Sequence, residues 1–269
     1  MAQQPVPEEA LSTDAVLELL KSVADEVIRP RFRSLSDSQI DEKRPGDLVT
    51  VADREAEELI TQALLEAYPD AVVLGEEAYA GTPDLLPRFR AADHGFTVDP
   101  VDGTKNFVHG SPDYAVMVAE VIDGETVRGW IWQPEHEAAW VAERGRGVRR
   151  NGEPIHRQPA GDQPQGATSI WSRRGRQPNG LPALIGSWVC CGVDYPKLIE
   201  GEAAYVLYGH TNPWDHLPGT LMVREAGGAA AHRDGTPYSA RSTSSGLVVA
   251  SDAATLERAL TACVDLWPK

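Results

Sequence analysis

The sequence predicts an α/β protein, with helices first, an antiparallel meander in the middle and alternating strands and helices after it. Three observations predict this class. Val16, Leu20, Val23 and Val27 recur at helical spacing behind Ser12, Thr13 and Asp14, which can cap a helix. Between residues 114 and 155, β-rich runs alternate with turn residues. Beyond residue 166, short apolar runs of strand length alternate with helical patterns.

The first helix should stop or bend at Pro30, and the polar stretch 34–46 reads as a loop or hairpin. Thr50-Val51-Ala52-Asp53 matches a capping box ahead of Ala56, Ile60, Ala63, Leu64 and Ala67, and Tyr68-Pro69 ends that helix. Residues 71–74 form a short apolar strand that stops at Gly75-Glu76-Glu77. Residues 95–98 form another that stops at Asp99. The meander comprises residues 114–122, 126–132, 138–142 and 148–155, the last turning at Asn151-Gly152. Residues 156–168 are rich in Pro, Gly and Gln. They mark a boundary between an N-terminal subdomain, 1–157, and a C-terminal one, 158–269. A strand at 167–171, a helix near Leu181 and a strand at 188–191 follow. After these come a helix at 195–200, a strand at 203–208 and a helix at 217–226 closed by Gly227-Gly228. A strand at 246–250 and a helix at 256–266 complete the chain.

With 40 acids against 25 bases among 269 residues, the formal charge is -15. Such a surface repels nucleic acid and anionic membranes, so neither is an expected partner. It also repels a phosphorylated substrate, so an anion site must carry its own positive charge, which a bound cation supplies. Of the three cysteines, Cys190 and Cys191 are adjacent and no metal-type spacing occurs; all three read as small buried hydrophobes. Residues 1–7 are polar and proline-rich, unlike a signal peptide, and no apolar stretch is long enough to span a membrane. A reducing cytoplasm is the simplest compartment.

The chemistry concentrates in residues 98–107. Pro100 and Gly103 argue against a helix, so Asp99 and Asp102 are expected on a turn leaving a strand, where both carboxylates can converge on one point. Carboxylates held that close repel one another unless a cation lies between them, and the Val101 carbonyl can add an oxygen. Gly103-Thr104 supplies backbone amides for an anion and a hydroxyl for a water. Glu76 and Glu77 follow a strand and can reach the rim of a sheet. Asp53 is placed equally well by helix capping and by a supporting role at this site. Asp215, after Pro213-Trp214, can cap a helix with one oxygen and ligate with the other. An all-oxygen set favours a hard cation such as magnesium over zinc, and none of the seven histidines forms a His-x-x-x-His pair. The nucleophile-elbow and Walker patterns are absent.

Taken together, Gly75-Glu76-Glu77, the run from Asp99 to Phe107, and Trp214-Asp215 through Gly228 resemble the inositol monophosphatase family. Asp47 to Asp53 resembles that family's upstream motif, preceded by its loop lysine at Lys43. The resemblance covers nearly the whole chain in family order. It implies a five-layered α-β-α-β-α sandwich, a homodimer, two to three magnesium ions and inhibition by lithium. The activity it implies is hydrolysis of a small phosphate monoester by a metal-activated water. By the same resemblance Glu76, Asp99, the Val101 carbonyl, Asp102 and Asp215 are metal ligands. Glu76 and Thr104 orient the water with help from Asp53, and the Gly103 and Thr104 amides hold the phosphate.

Two departures concern the substrate. Cys190-Cys191-Gly192 stands where inositol phosphatases usually carry Gly-Ser-Ala, which puts Cys191 among the substrate-contacting positions. Tyr208 stands seven residues before Asp215, where a substrate-contacting glutamate occurs in the animal enzymes. Tyr208 therefore either selects the leaving alcohol or packs in the core. Histidinol phosphate, a sugar phosphate or a nucleotide 3'-phosphate are alternative substrates, and a non-catalytic metal-binding scaffold is the alternative to an enzyme. An aspartyl-phosphate mechanism is disfavoured because Val101 occupies the position of its second aspartate.

Overall fold

Ser12 caps the first helix, α1 (Thr13–Val23), its hydroxyl accepting from the Ala15 N–H at 3.1 Å. Residues 10–157 and 160–267 are described in this computed structural model; the signal-peptide reading of residues 1–7 lies outside them. Past α1 the chain loosens into a wide turn at Ala24–Ile28, and Pro30 falls in a tight turn, Arg29–Arg31, that ends the helical segment. The polar stretch 34–46 contains a hairpin strand, β1 (Ile40–Arg44), which pairs antiparallel with β2 (Asp47–Thr50). The capping box then starts α2 (Val51–Ala67). Strand β3 (Val72–Gly75), helices α3 (Glu76–Gly81) and α4 (Leu85–Ala91), strand β4 (His94–Asp102) and the single turn α5 (Thr104–Val108) follow.

The meander forms as expected: β5 (Ala115–Ile122), β6 (Glu125–Gln133), β7 (Ala138–Glu143), β8 (Val148–Arg150) and β9 (Glu153–Pro154). Asn151 and Gly152, at φ 49° and 84°, make its last tight turn. The rest comprises β10 (Gly166–Thr168), β11 (Ile185–Gly186), α6 (Cys191–Glu200), β12 (Tyr205–Tyr208), α7 (Pro213–Glu225), β13 (Ala229–His232), β14 (Leu247–Ala250) and α8 (Ala253–Ala262).

Two expected elements are corrected. No helix forms near Leu181, because Pro178 and Pro182 flank it and Gly180 adopts φ 70°; Leu181 is instead a buried loop residue in the core under α8. The strand expected at 188–191 is replaced by β11 a few residues earlier. Val189 takes φ 62°, which breaks an extended chain, and Cys191 already opens α6. Strand β13 was not expected from the sequence; its three alanines carry little strand signal.

The seven-stranded sheet has the order β3-β4-β5-β6-β7-β8-β9, with only β3 and β4 parallel. The five-stranded sheet has the order β11-β10-β12-β14-β13. Strand β5 shows how the layers are specified. Val116 and Val118 join Leu20, Ile60, Leu64 and Trp130 beneath α1 and α2, while Ala115, Met117 and Ala119 join Val193, Leu217 and Leu221 of α6 and α7. That period of two buries both faces. Helices α6 and α7 also meet Val206 and Val249 of the second sheet, and α8 covers its far face through Ala259. The result is the five-layered α-β-α-β-α sandwich.

Packing in the central layer is close. A Cβ at Gly219 of α7 would lie 2.1 Å from the Tyr195 ring of α6, so the glycine is kept despite a helix-propensity cost of roughly 1 kcal/mol. Gly219→Ala is expected to lose about 1–3 kcal/mol of stability through overpacking. Urea denaturation with an unchanged m value would confirm it, and a midpoint equal to wild type would contradict it.

Candidate active site

Strand β4 delivers two acids to one end of the first sheet. It continues through Pro100 and Val101 to Asp102, where a turn was expected after Asp99; a bulge absorbs the irregularity. Asp99 faces Met117 and Asp102 faces Ala115, so three steps on β4 match two on β5. A bulge suits Pro100, which has no N–H for the ladder. Asp215 comes from the first turn of α7. The expectation that Asp215 caps this helix is corrected: the helix begins at Pro213 with Asn212 in the cap position, and Asn212 Nδ2 donates to Asp215 at 3.0 Å. Carboxylate oxygens of Asp99, Asp102 and Asp215 lie within 4.8 Å of one another, all three residues buried. Asp99 Oδ1 is buried with no hydrogen-bond partner. An orphaned oxygen among three acids is satisfied by a cation, and an all-carboxylate donor set fits a hard one.

Asp53 is placed for both roles that the sequence left open. Its Oδ2 accepts from the Thr50 N–H at 2.8 Å and the Thr50 hydroxyl at 2.5 Å, closing the helix cap. Its Oδ1 faces the Thr104 hydroxyl at 3.1 Å, and the Val101 carbonyl lies 3.0 Å from the same hydroxyl. Gly103 precedes Thr104 at φ 84°, with Cys190 Cβ only 3.0 Å from where a side chain would begin. Only glycine meets both conditions. Glu76 lines the same cavity as these residues, and Lys43 pairs with Glu76 at 2.6 Å and Glu77 at 2.8 Å.

Sequence reasoning missed Glu57, which accepts from the Glu77 and Ala78 N–H groups at 2.8 Å each and so fixes the turn that carries Glu76. Its signal was available: Glu57 falls one turn after Asp53, on the same buried face as Ile60 and Leu64. Asp194 was also missed. It is buried in the first turn of α6 and accepts from the Trp188 N–H at 2.7 Å.

A cavity of about 520 Å³ opens over the cluster. Cys190 and Cys191 line it and are buried as expected; the Cys190 thiol approaches Asp102 Oδ2 at 3.0 Å, and the Gly192 N–H donates to the same oxygen at 2.5 Å. Tyr208 also lines it from the end of β12. The ring is fully buried and stacked 5.7 Å from Tyr195, with its hydroxyl toward the buried Asp194 carboxylate.

The model of the Inositol monophosphatase family matches residues 10–267. The chain belongs to that family. An inositol-1-monophosphatase of Rhizobium meliloti is 31% identical over 82% of this chain and 84% of its own length. A histidinol-phosphatase of Mycobacterium tuberculosis is 33% identical over 82% of this chain and 88% of its own. Among solved structures, an IMPase of Thermotoga maritima aligns with TM-score 0.79 at 24% identity, covering 94% of this chain and 96% of that one. The suhB protein of Bartonella henselae aligns with TM-score 0.73 at 27% identity, covering 91% and 98%.

Electrostatics in this inositol monophosphatase-family site follow from crowding. Burial pushes Asp99 well above the carboxylate range, and Glu76, Asp102 and Asp215 add to the push. Burial likewise raises Glu76 to about 8, Asp102 to about 7, Glu57 to about 7 and Asp53 to about 6. Asp215 goes the other way. Its burial is outweighed by His210, whose Nδ1 lies 3.6 Å away, by His216 and by Asn212. Lys43 is held above its ordinary value by Glu76 and Glu77, against the opposing effect of burial.

Carboxylates with raised pKa values bind protons more tightly folded than unfolded. Without metal, therefore, stability should fall as pH rises from about 4, the unfolded value, through the folded values of about 6 to 8. A divalent cation should flatten that decline by neutralising the charges. Thermal melts of metal-free and metal-loaded protein between pH 5 and 8.5 test this, each kcal/mol being worth about 2–4 °C at this chain length. A metal-free melting temperature that stays level or rises across that range would contradict it.

Proposed function

We propose that this chain is a magnesium-dependent phosphatase that hydrolyses small phosphate monoesters, inositol phosphate being the parent substrate of its family. The observation that carries the reading is the triad Asp99, Asp102 and Asp215, with one orphaned oxygen, beside the Thr104–Asp53 pair. Glu76, Asp99, the Val101 carbonyl, Asp102 and Asp215 would hold two to three ions, which supply Lewis-acid stabilisation of the phosphoryl oxygens.

The chain's own groups then position the reactants. A hydroxyl has one proton to give. When the Thr104 hydroxyl donates its hydrogen bond to Asp53, its oxygen is left to accept from a water, which Glu76 would orient from the end of the neighbouring parallel strand β3. The Gly103 and Thr104 amides take the phosphate. The water oxygen forms the new bond to phosphorus and keeps one proton, the bond from phosphorus to the alcohol oxygen breaks, and that oxygen takes up the water's other proton as the alcohol leaves. Asp53 rises to about 6 through burial, so at neutral pH it is mostly ionised and able to accept from Thr104.

Histidinol phosphate is the second substrate reading, favoured by the relatives named for it. A homodimer, a cytoplasmic location, lithium inhibition and the two subdomains 1–157 and 158–269 belong to the same proposal. Among the described residues no helix is long and apolar enough to cross a membrane.

Phosphate release from a panel of monoesters, run with and without magnesium, tests the activity; release that survives exhaustive chelation would refute it. Asp99→Asn and Asp215→Asn should each abolish turnover, and magnesium should raise their melting temperatures less than it raises wild type's. An equal rise would remove those acids from the ligand set. Thr104→Ala should lower kcat by about 10²–10⁴ with KM little changed, since its hydroxyl acts on the attacking water. A defect confined to KM would reassign Thr104 to substrate binding. Tyr208→Phe removes a hydroxyl that lies toward the buried Asp194 carboxylate. If that hydroxyl meets the leaving alcohol, the ratio of specificity constants between inositol 1-phosphate and histidinol phosphate should shift; an unmoved ratio would leave Tyr208 as core packing.

A further inference from the structure

Beside the acid cluster, the cavity is lined by residues 168–189 of the C-terminal half and by Lys105 of α5, and this lining carries positive charge that the hydrolytic machinery does not use. Arg174 and Lys105 both line the cavity. Among the described residues neither side chain pairs with a carboxylate, although the protein has 40 acids. Arg174 is also held in place. Its guanidinium carbon lies 5.6 Å from the centre of the Trp171 ring, and a Cβ at Gly186 on edge strand β11 would come within 3.2 Å of its Nε. The arginine is therefore packed between an indole face and a backbone that only glycine leaves bare. Trp171 itself is 79% exposed, a high exposure for the largest apolar side chain. Its burial thus does not explain its position, whereas its contact with Arg174 does.

A guanidinium stacked on an aromatic ring keeps its N–H donors free at the edge, where they match a carboxylate or phosphate in two-point fashion. The reacting phosphate is already accounted for by the acid cluster, its cations and the amides of Gly103 and Thr104. A second anion on the same substrate is what remains for Arg174. Ser169 and Ser187, on the same rim, add hydroxyls beside it.

We infer that the rim formed by Trp171 and Arg174 is a leaving-group subsite selecting phosphate esters whose alcohol carries a second negative group, a carboxylate or another phosphate. Arg174 binds that group, and Trp171 is the positioning residue that holds the guanidinium. The inference rests on the phosphatase reading and narrows its substrate class. It therefore ranks inositol 1-phosphate, whose alcohol is neutral, and histidinol phosphate, whose alcohol carries an ammonium group, below esters with a second anion.

Matched ester pairs test it. 3-Phosphoglycerate against glycerol 1-phosphate isolates a carboxylate, fructose 1,6-bisphosphate against fructose 1-phosphate isolates a second phosphate, and phosphoethanolamine supplies the cationic comparison. Wild type should prefer the more anionic member of at least one pair tenfold or more in kcat/KM; the favoured pair identifies the anion. Arg174→Ala should reduce that ratio at least tenfold through KM, Arg174→Lys should restore part of it, and Trp171→Ala should fall between. Arg176→Ala, an exposed arginine outside the cavity, is the control and should leave the ratio unmoved. Calorimetric titration of the same esters into the metal-loaded Thr104→Ala protein, whose turnover is slowed while its KM is little changed, reads the ratio as binding. Hydrolysis or binding with no preference in either pair, or an Arg174→Ala ratio equal to wild type, would overturn the subsite. Absence of phosphate release from every ester, with the binding preference intact, would overturn the phosphatase reading and leave the subsite standing.

Discussion

Mutual repulsion among buried carboxylates is the constraint around which this molecule is organised. Asp99, Asp102 and Asp215 belong to two elements far apart in sequence, yet their oxygens meet within 4.8 Å. Folding brings them together against their charge, and hydrophobic burial must supply the difference. The surrounding architecture is arranged accordingly. The seven-stranded sheet is covered on both faces by apolar layers, and α7 is clamped between the sheets by Leu217, Leu221 and Tyr195. The acids sit at the ends of these rigid elements, where packing fixes the backbone and the side chains cannot spread apart. Rigid placement of this kind makes a cation site selective.

Supporting contacts keep the acids from relaxing. Asp102 accepts from the Gly192 N–H and faces the Cys190 thiol, so the start of α6 holds it. Asp215 is held by Asn212, and Glu76 by Lys43 and by the turn that Glu57 fixes. Among the described residues, Asp99 is the acid of this cluster with a fully buried oxygen that has no partner. The cluster therefore has one acid left for a cation to complete, while its neighbours already have hydrogen bonds that set their orientation.

Most of this was legible in the sequence, for identifiable reasons. The meander was visible because β5 to β9 alternate and turn at residues with strong local preference, such as Asn151-Gly152. The acid cluster was visible because Pro100 and Gly103 rule out the helix that would have made Asp99 and Asp102 ordinary surface charges. What escaped lacked a local cause. The bulge in β4 depends on pairing with β5, a partner the local sequence does not name. The loop around Leu181 has apolar content suited to a helix, but its prolines forbid one. Strand β13 is an alanine run that pairs only because β14 offers it an edge. Asp215 looked like a cap because its helix begins at Pro213, four residues ahead of the apolar pattern that starts at Leu217. Trp171 and Arg174 gave no signal at all, since an exposed aromatic beside an arginine gains meaning only when a cavity opens next to it.

The two halves of the site differ in how tightly each residue is held. Asp99, Asp102, Asp53 and Thr104 are interlocked by β4, α2 and the capping box, so a change to one moves the others and the chemistry with them. Tyr208 is packed against Tyr195 and His216, which makes it costly to alter and poorly suited to tuning specificity. The rim is different. Trp171, Arg174 and Val189 are exposed, on short segments beside the edge strand β11, and substitutions there disturb little of the core. On the proposed roles, hydrolytic machinery and substrate choice therefore reside on different elements with different tolerance for change. One scaffold can keep its phosphate chemistry fixed while the alcohol it accepts is set at the rim.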